Sequence, residues 1–234
     1  MLNEVDVTVS IDIGRVNLSW IVVSNDMILS WQKVNIYEAK TKRSELMPSL
    51  FIKAITTKLV EPYLLNKNVE FVVETQIYFS KINKSLEQLL KTHLETGFHG
   101  QFRCLKYVNM HSKQKFSITK LFFDDLCLKH NKGNKMAIPN TRASNMKTAS
   151  IDRIKLIFLI LHNGIEVAHV PKNLLQYESC LLQVQKQDDM CDTLLQYIAF
   201  VYRKTQIAFK SDKKQSQSSK KKYFDDGKLE IVIQ

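Results

Sequence analysis

An alternating apolar segment that carries a carboxylate constrains the fold of this chain more than any other feature. From Val7 to Ile13 every second residue is a β-branched aliphatic residue, which is the period of a strand in a sheet. Asp12 lies near the end of this strand, and Gly14 follows to turn the backbone. A charge that is buried in a strand without a partner destabilises a fold. Asp12 is therefore either a solvated turn residue or a group that meets a cation.

The segments that follow alternate between strand and helix patterns. Strands are predicted over 18–23, 27–36, 68–75 and 101–108, and helices over 44–65, 85–98, 151–162 and 188–203. The strand over 68–75 again ends in a carboxylate, that of Glu74. A basic loop is expected at 111–115 and a less regular segment at 116–150. This order predicts an α/β fold in which helices cover a mixed sheet.

Length and composition bound the class of protein. The 234 residues are enough for a single domain over 1–234 with a full core. No apolar run reaches the ~18 residues of a membrane span, and no apolar signal core opens the chain, so we expect an intracellular protein without a membrane partner. The four cysteines are far apart and form no CxxC pair, which argues against a zinc site or a disulfide framework.

Positive charge constrains the partner. Lys and Arg number 34 against 23 Asp and Glu, and the net charge of +11 favours nucleic acid first and an anionic membrane second. Residues 210–222 are rich in lysine and serine and too hydrophilic to pack, so they are predicted to form a basic, mobile loop.

Three aspartates open the last predicted helix. Asp188 is explained as an N-cap, because acidic side chains favour the positive end of the helix dipole. Asp189 and Asp192 are three residues apart and project from one helix face. Asp192 lies a full turn into the helix, where a capping role explains it less well. These aspartates are therefore either ordinary helix-end residues or part of a site.

Asp12, Glu74, Asp189 and Asp192 together indicate a metal centre. Two strand ends and one helix can bring these carboxylates together, and they would repel one another unless cations neutralised them. Oxygen ligands favour Mg²⁺ or Mn²⁺, and two such ions about 4 Å apart can promote phosphodiester hydrolysis. A basic surface would hold the phosphate backbone. The residues thus indicate a metal-dependent nuclease.

The order of the acidic motifs is similar to that of a known family. Residues Ser10–Gly14, Val72–Gln76 and Lys186–Leu194 resemble the RuvC-type Holliday-junction resolvases of the RNase H-like superfamily, most closely their poxvirus branch. The resemblance implies an RNase H-like fold with a central mixed five-stranded sheet flanked by helices. It also implies two Mg²⁺ ions in each active site, with Mn²⁺ as a substitute. The catalytic metal ligands it implies are Asp12, Glu74, Asp189 and Asp192.

Further DNA-contacting residues follow from the same resemblance. Lys113 would lie near the scissile phosphate as a catalytic residue, and its near neighbour Lys115 could take the same role. Lys147 matches a second basic residue of the family. Tyr78 and Phe79 lie where family members place an aromatic that wedges among junction bases. Packing of either ring in the core is the alternative.

The family resemblance also implies a homodimer that acts on branched DNA. The helix over 85–98 would contribute to the dimer interface through Leu86, Leu89, Leu90 and Leu94, although ordinary core packing explains the same spacing. The resemblance implies a location at viral replication sites in the host cytoplasm or in the virion.

Three functions are consistent with the sequence. The first is a Mg²⁺-dependent endonuclease that resolves four-way DNA junctions by paired symmetric nicks, acting on viral intermediates such as concatemer junctions. The second is a ribonuclease H that cuts RNA–DNA hybrids. The third is a non-catalytic, basic nucleic-acid-binding protein whose acidic residues are structural.

Overall fold

A computed structural model of the protein describes residues 5–14, 16–36, 47–75, 81–130, 146–184 and 187–226, with the backbone alone at 47, 129–130, 146–148 and 209–226. The strands are β1 (Val7–Ile13), β2 (Asn17–Ser24), β3 (Met27–Asn35), β4 (Asn68–Glu74) and β5 (Cys104–Met110). The helices are α1 (Met47–Ile55), α2 (Glu61–Tyr63), α3 (Lys81–Thr92), α4 (Ser112–His130), α5 (Met146–His162), α6 (Glu178–Gln183) and α7 (Asp188–Asp226). A π-helical turn, Thr56–Val60, joins α1 to α2, and another, His93–Gly97, extends α3; a 3₁₀ turn, Leu174–Tyr177, precedes α6.

The five strands form one mixed sheet in the order β3-β2-β1-β4-β5. β1, β2 and β3 are antiparallel neighbours, and a two-residue turn joins β2 to β3 with positive φ angles at Asn25 and Asp26. β4 runs parallel to β1, and β5 runs parallel to β4. Helices flank this sheet, which confirms the predicted α/β fold with a central mixed five-stranded sheet.

One face of the sheet packs against α1 and α3. The odd-numbered residues of β1 and β4 point to this face and are buried with Phe51 of α1. Leu86, Leu90 and Leu94 are fully covered within the same core, and Leu89 is partly buried against it. Core packing within one chain therefore explains the leucine spacing, and the dimer interface predicted for this helix stays a prediction.

The opposite face packs against α4, α5 and α7. Their apolar side chains form a second core with the β2–β3 hairpin, and the buried members include Ile21, Trp31, Phe123, Ile157, Leu194 and Ile198. The side-chain amide of Gln196 donates to the backbone oxygen of Val72, 2.7 Å away, and this bond fixes α7 across the middle of the sheet. Of the described helices, none is long and apolar enough to cross a membrane.

Two segments differ from the sequence-based predictions. The prediction of a basic loop at 111–115 is wrong, because Ser112 begins the 19-residue helix α4. This helix also covers much of the segment that is predicted to be irregular. Three of its apolar residues, Phe122, Phe123 and Leu126, are buried in the second core, and no glycine or proline interrupts it. α7 likewise continues through 210–222, where a mobile loop is predicted. Lysine, glutamine and serine are compatible with a helix, and again no glycine or proline intervenes.

Candidate active site

Asp12 and Glu74 lie side by side at the carboxyl ends of two parallel strands. The register pairs Ile11 of β1 with Val73 of β4, so the residues that follow them are adjacent across the sheet. Both carboxylates belong to the even-numbered set of their strands, whose face is the one covered by α7. The predicted meeting of the two strand-end acids follows from this register.

Asp189 is attached to the β2–β3 hairpin by three contacts. Its Oδ2 accepts a hydrogen bond from Asn17 Nδ2 at 2.9 Å and forms an ion pair with Lys33 Nζ at 3.0 Å. The hydroxyl of Ser19 donates to the backbone oxygen of Asp189 at 2.8 Å. These contacts hold the first turn of α7 over the antiparallel half of the sheet.

Asp192 and Glu74 share a lysine from α4. Lys115 Nζ lies 2.7 Å from Glu74 Oε2 and 3.6 Å from Asp192 Oδ1. Ser150, at the start of α5, donates to Asp192 Oδ1 at 2.6 Å, and the hydroxyl of Ser112 donates to Glu74 Oε1. The lysine therefore connects α4 to the acids of β4 and α7.

The four carboxylates act on one another electrostatically. The pKa of Asp12 rises from its ordinary value of 3.8 to about 7, because of burial first and then of the negative charge on Glu74. Asp192 and Asp189 raise it further, whereas Lys115 opposes the rise. Burial also raises the pKa of Asp192. The side chains of β1, β4 and α7 thus share one field with an excess of negative charge.

Lys115 lies in the centre of this field. Burial acts to lower the pKa of its ammonium, but the charges of Asp192 and Glu74 outweigh that effect and raise it. The lysine is therefore held in its charged form, and it neutralises part of the acidic cluster. Within the described residues, Lys115 and Lys33 each form an ion pair with an acid of the cluster.

The donor set of this cluster fits a hard divalent cation. Among the described residues, no three acidic, histidine or cysteine side chains are arranged so that they could hold a metal ion in their present rotamers. Lys115 binds two of the four acids, Glu74 and Asp192. Carboxylate oxygens are nevertheless the ligands that Mg²⁺ and Mn²⁺ prefer, and an added positive charge would offset the repulsion from Glu74, Asp192 and Asp189 that raises the pKa of Asp12.

A cavity of about 160 Å³ adjoins the cluster on its α4–α5 side. Glu74, Lys115, Ser150 and Asp192 line it, together with Arg153 of α5. Arg153 is buried, its guanidinium lies 4.6 Å from the centre of the Phe116 ring, and it donates to Thr119 Oγ1 at 2.9 Å. This arginine, which sequence reasoning missed inside an apolar helix, anchors α5 to α4 beside Asp192.

The structure brings together five of the predicted site residues, namely Asp12, Glu74, Asp189, Asp192 and Lys115. Lys113 is exposed, and in the described part of the chain it makes no ion pair with these acids. Lys113 and Lys115 are separated by two positions in α4, and their side chains therefore point about 200° apart around the helix axis. Only one of them can face the cluster. The backbone of Lys147 belongs to α5, while its side chain, like Tyr78 and Phe79, lies outside the described residues.

Sequence reasoning also missed Asn17, Lys33, Ser112 and Ser150. Lys33 and Asn17 contact a residue more than 150 positions away, and no local pattern indicates that pairing. Ser112 and Ser150 are unremarkable in sequence and gain their role from the helices that carry them. Only the folded chain shows these supporting contacts.

No protein-family model matches the chain, and no curated protein is similar to it in sequence. Among solved structures it is similar to RuvC of Thermus thermophilus, with a TM-score of 0.44, 11% identity, and coverage of 85% of this chain and 97% of that one. It is also similar to T. thermophilus RuvC in complex with Holliday junction substrate, with a TM-score of 0.41, 10% identity, and coverage of 86% and 95%. Both scores lie below 0.5, so the assignment of a function depends on the residues of the site.

Proposed function

We propose that this protein is a Mg²⁺-dependent endonuclease that resolves four-way DNA junctions. The observation that carries the proposal is that Glu74, Asp189 and Asp192 all act electrostatically on the carboxylate of Asp12. Lys115 lies between two of these acids, Glu74 and Asp192. A chain with a net charge of +11 supplies the attraction for the phosphate backbone that such a site needs.

The four carboxylates are the residues that would hold divalent cations. When bound, these ions would supply positive charge for the phosphate and lower the pKa of a water molecule. Lys115 would then exchange part of its contact with Glu74 for a non-bridging phosphate oxygen, where its charge stabilises the developing negative charge. Ser150 would keep Asp192 oriented through its hydrogen bond of 2.6 Å. Burial at the edge of the second core strengthens each of these interactions.

The choice of a branched substrate is supported by the motif resemblance to the poxvirus resolvases. Cutting a four-way junction symmetrically requires two sites, so we propose a homodimer that makes paired nicks in opposed strands. Viral recombination and replication intermediates in the host cytoplasm would be the natural substrates. Tyr78 or Phe79 would stack on an unpaired base, and Lys147 would contact the backbone.

A cleavage assay tests the proposal. A labelled immobile four-way junction, its matched linear duplex and an RNA–DNA hybrid are each incubated with the protein in Mg²⁺ and in EDTA. We expect symmetric nicks confined to the junction, only with Mg²⁺, and their loss in Asp12→Asn while junction binding persists. Asp26→Asn, the same chemical change at an exposed turn, should cut normally.

Each other outcome of this assay rejects the proposal in a defined way. Cleavage of the hybrid alone would identify a ribonuclease H, for which a monomer in sedimentation analysis would be sufficient. Binding of DNA without cleavage of any substrate would indicate a non-catalytic binding protein. Junction cleavage that persists in a clean Asp12→Asn preparation would show that the acidic cluster is not the active site.

A further inference from the structure

Lys33 makes an ion pair inside the acidic cluster that is independent of Lys115. It belongs to β3, the edge strand of the sheet, and its Nζ lies 3.0 Å from Oδ2 of Asp189. The side chains of Lys33 and Asp189 are only 11% and 20% exposed, so water screens this pair weakly. Lys115 contacts the other side of the cluster, at Glu74 and Asp192. Two ammonium groups thus face the four carboxylates from different elements.

The position of Asp189 does not require the charge of Lys33. Asn17 donates to the same carboxylate oxygen at 2.9 Å, and Ser19 holds the backbone oxygen of Asp189 at 2.8 Å. Both donors are neutral and belong to β2, the neighbour of β3 in the sheet. A variant without the Lys33 ammonium therefore keeps two of the three contacts that orient Asp189. What Lys33 adds is positive charge.

A positive charge at this point opposes the binding of a cation. An ion held by Asp189 would lie within a few ångströms of Lys33 Nζ, and like charges repel strongly where water is largely excluded. We propose that Lys33 is an internal counter-ion that neutralises Asp189 in the cation-free protein and thereby lowers the affinity of the cluster for divalent cations. This inference rests on the cation site of the proposed function, and it assigns Lys33 an affinity-setting role rather than a catalytic one.

Calorimetric titration with MnCl₂ alone, without DNA, tests the proposal. Lys33→Gln removes the charge, Lys33→Arg retains it, and Lys172→Gln removes a charge from the exposed pair with Asp26 at the far end of the same hairpin. We expect Lys33→Gln to bind Mn²⁺ roughly tenfold more tightly than the unaltered protein, because one nearby positive charge has been removed. Lys33→Arg and Lys172→Gln should stay within about twofold of the unaltered protein.

Thermal melting provides a second measurement. In EDTA, Lys33→Gln should melt at a lower temperature than the unaltered protein, because Asp189 has lost its counter-ion. Saturating Mn²⁺ should raise its melting temperature more than it raises that of the unaltered protein. Lys33→Met, which keeps the aliphatic stem, replaces Lys33→Gln in both measurements should the glutamine variant not fold.

Equal or weaker Mn²⁺ binding by the folded uncharged variants would overturn the proposal, as would the absence of Mn²⁺ binding in every variant. The first result would show that Lys33 only clamps α7 to the hairpin. The outcome is separable from that of the cleavage assay. Tighter Mn²⁺ binding by Lys33→Gln, with no cleavage of any nucleic acid, would uphold the role of Lys33 and reject the proposed nuclease. Junction cleavage together with an unchanged Mn²⁺ affinity in Lys33→Gln would uphold the nuclease and reject the role of Lys33.

Discussion

Replacing Asp12 by asparagine should stabilise the cation-free protein at alkaline pH while abolishing the proposed cleavage. Asp12 shares a largely buried site with Glu74 of β4 and with Asp189 and Asp192 of α7, and Lys115 of α4 compensates only part of their charge. Asparagine has nearly the same shape and carries no charge at any pH. The substitution therefore removes the repulsion between ionised Asp12 and the neighbouring carboxylates.

The size and sign of the effect follow from the pKa of Asp12, which is about 7 in the folded protein against an ordinary value of 3.8. At pH values between 3.8 and about 7, Asp12 is protonated in the folded chain and ionised in the unfolded chain. The stability that the folded protein gains from a neutral Asp12 is therefore present at low pH and is lost as the pH rises towards 7. Between pH 5 and pH 8 the loss is roughly 3 kcal/mol, from about 1.4 kcal/mol for each pKa unit.

Urea unfolding in EDTA at pH 5 and pH 8 measures this loss. The fluorescence of the buried Trp20 and Trp31 reports on unfolding of the sheet. The free energy of unfolding of Asp12→Asn, relative to the unaltered protein, should increase by roughly 3 kcal/mol between the two pH values. Asp26→Asn is the matched control, because it makes the same change at an exposed turn and should shift by less than about 0.5 kcal/mol.

A relative stability of Asp12→Asn that is the same at pH 5 and pH 8 would refute the reasoning. It would mean that Asp12 is well solvated, as in the alternative of an ordinary turn residue. A relative stability that falls with pH would mean that Asp12 is paired with a cationic group strongly enough to reverse the effect of burial. In either case the four carboxylates would not share one field.

Three further predictions concern the acidic cluster, the core on the other face of the sheet and the turn after β1. Lys115→Met should destabilise the protein by about 3 kcal/mol in EDTA, because Glu74 loses its cation in a largely buried setting, and saturating Mg²⁺ should restore part of that loss in urea unfolding. Leu90→Ala should cost about 2–5 kcal/mol in the same assay and leave the sedimentation coefficient of the folded protein unchanged, since Leu90 is fully buried in its own chain. Gly14→Ala should lower the free energy of unfolding by roughly 1–3 kcal/mol, because the added Cβ would lie 2.6 Å from the backbone oxygen of Asn17. Thermal melting measures this loss, and an unchanged melting temperature would contradict the prediction.

The sequence was sufficient to predict the strands and the acids because both depend on local patterns. β1 and β4 alternate or run apolar over seven residues, and parallel strands that start together also end together, so Asp12 and Glu74 had to be neighbours if the two strands paired. The face of Asp189 and Asp192 follows from helical spacing. The length of α7 was harder to predict, because its lysine- and serine-rich end carries no apolar stripe that distinguishes a helix from a loop.

The ion pairs that Lys33 and Lys115 form with these acids could not be predicted, although Lys115 itself was a candidate site residue, because each pair joins elements that are distant in the chain. Lys33 reaches Asp189 only because the antiparallel hairpin lies beside β1, and Lys115 reaches Glu74 only because α4 begins directly after β5, the neighbour of β4. The choice of Lys115 over Lys113 depends on whether residues 112–116 are helical. If the segment were a loop, Lys113 and Lys115 could both reach the acids. Because it is the first turn of α4, Lys115 points towards the acids and Lys113 points to solvent. The identity of the lysine beside the acids is thus decided by one helix boundary, and exchanging Lys115 but not Lys113 for methionine should alter the stability of the cluster.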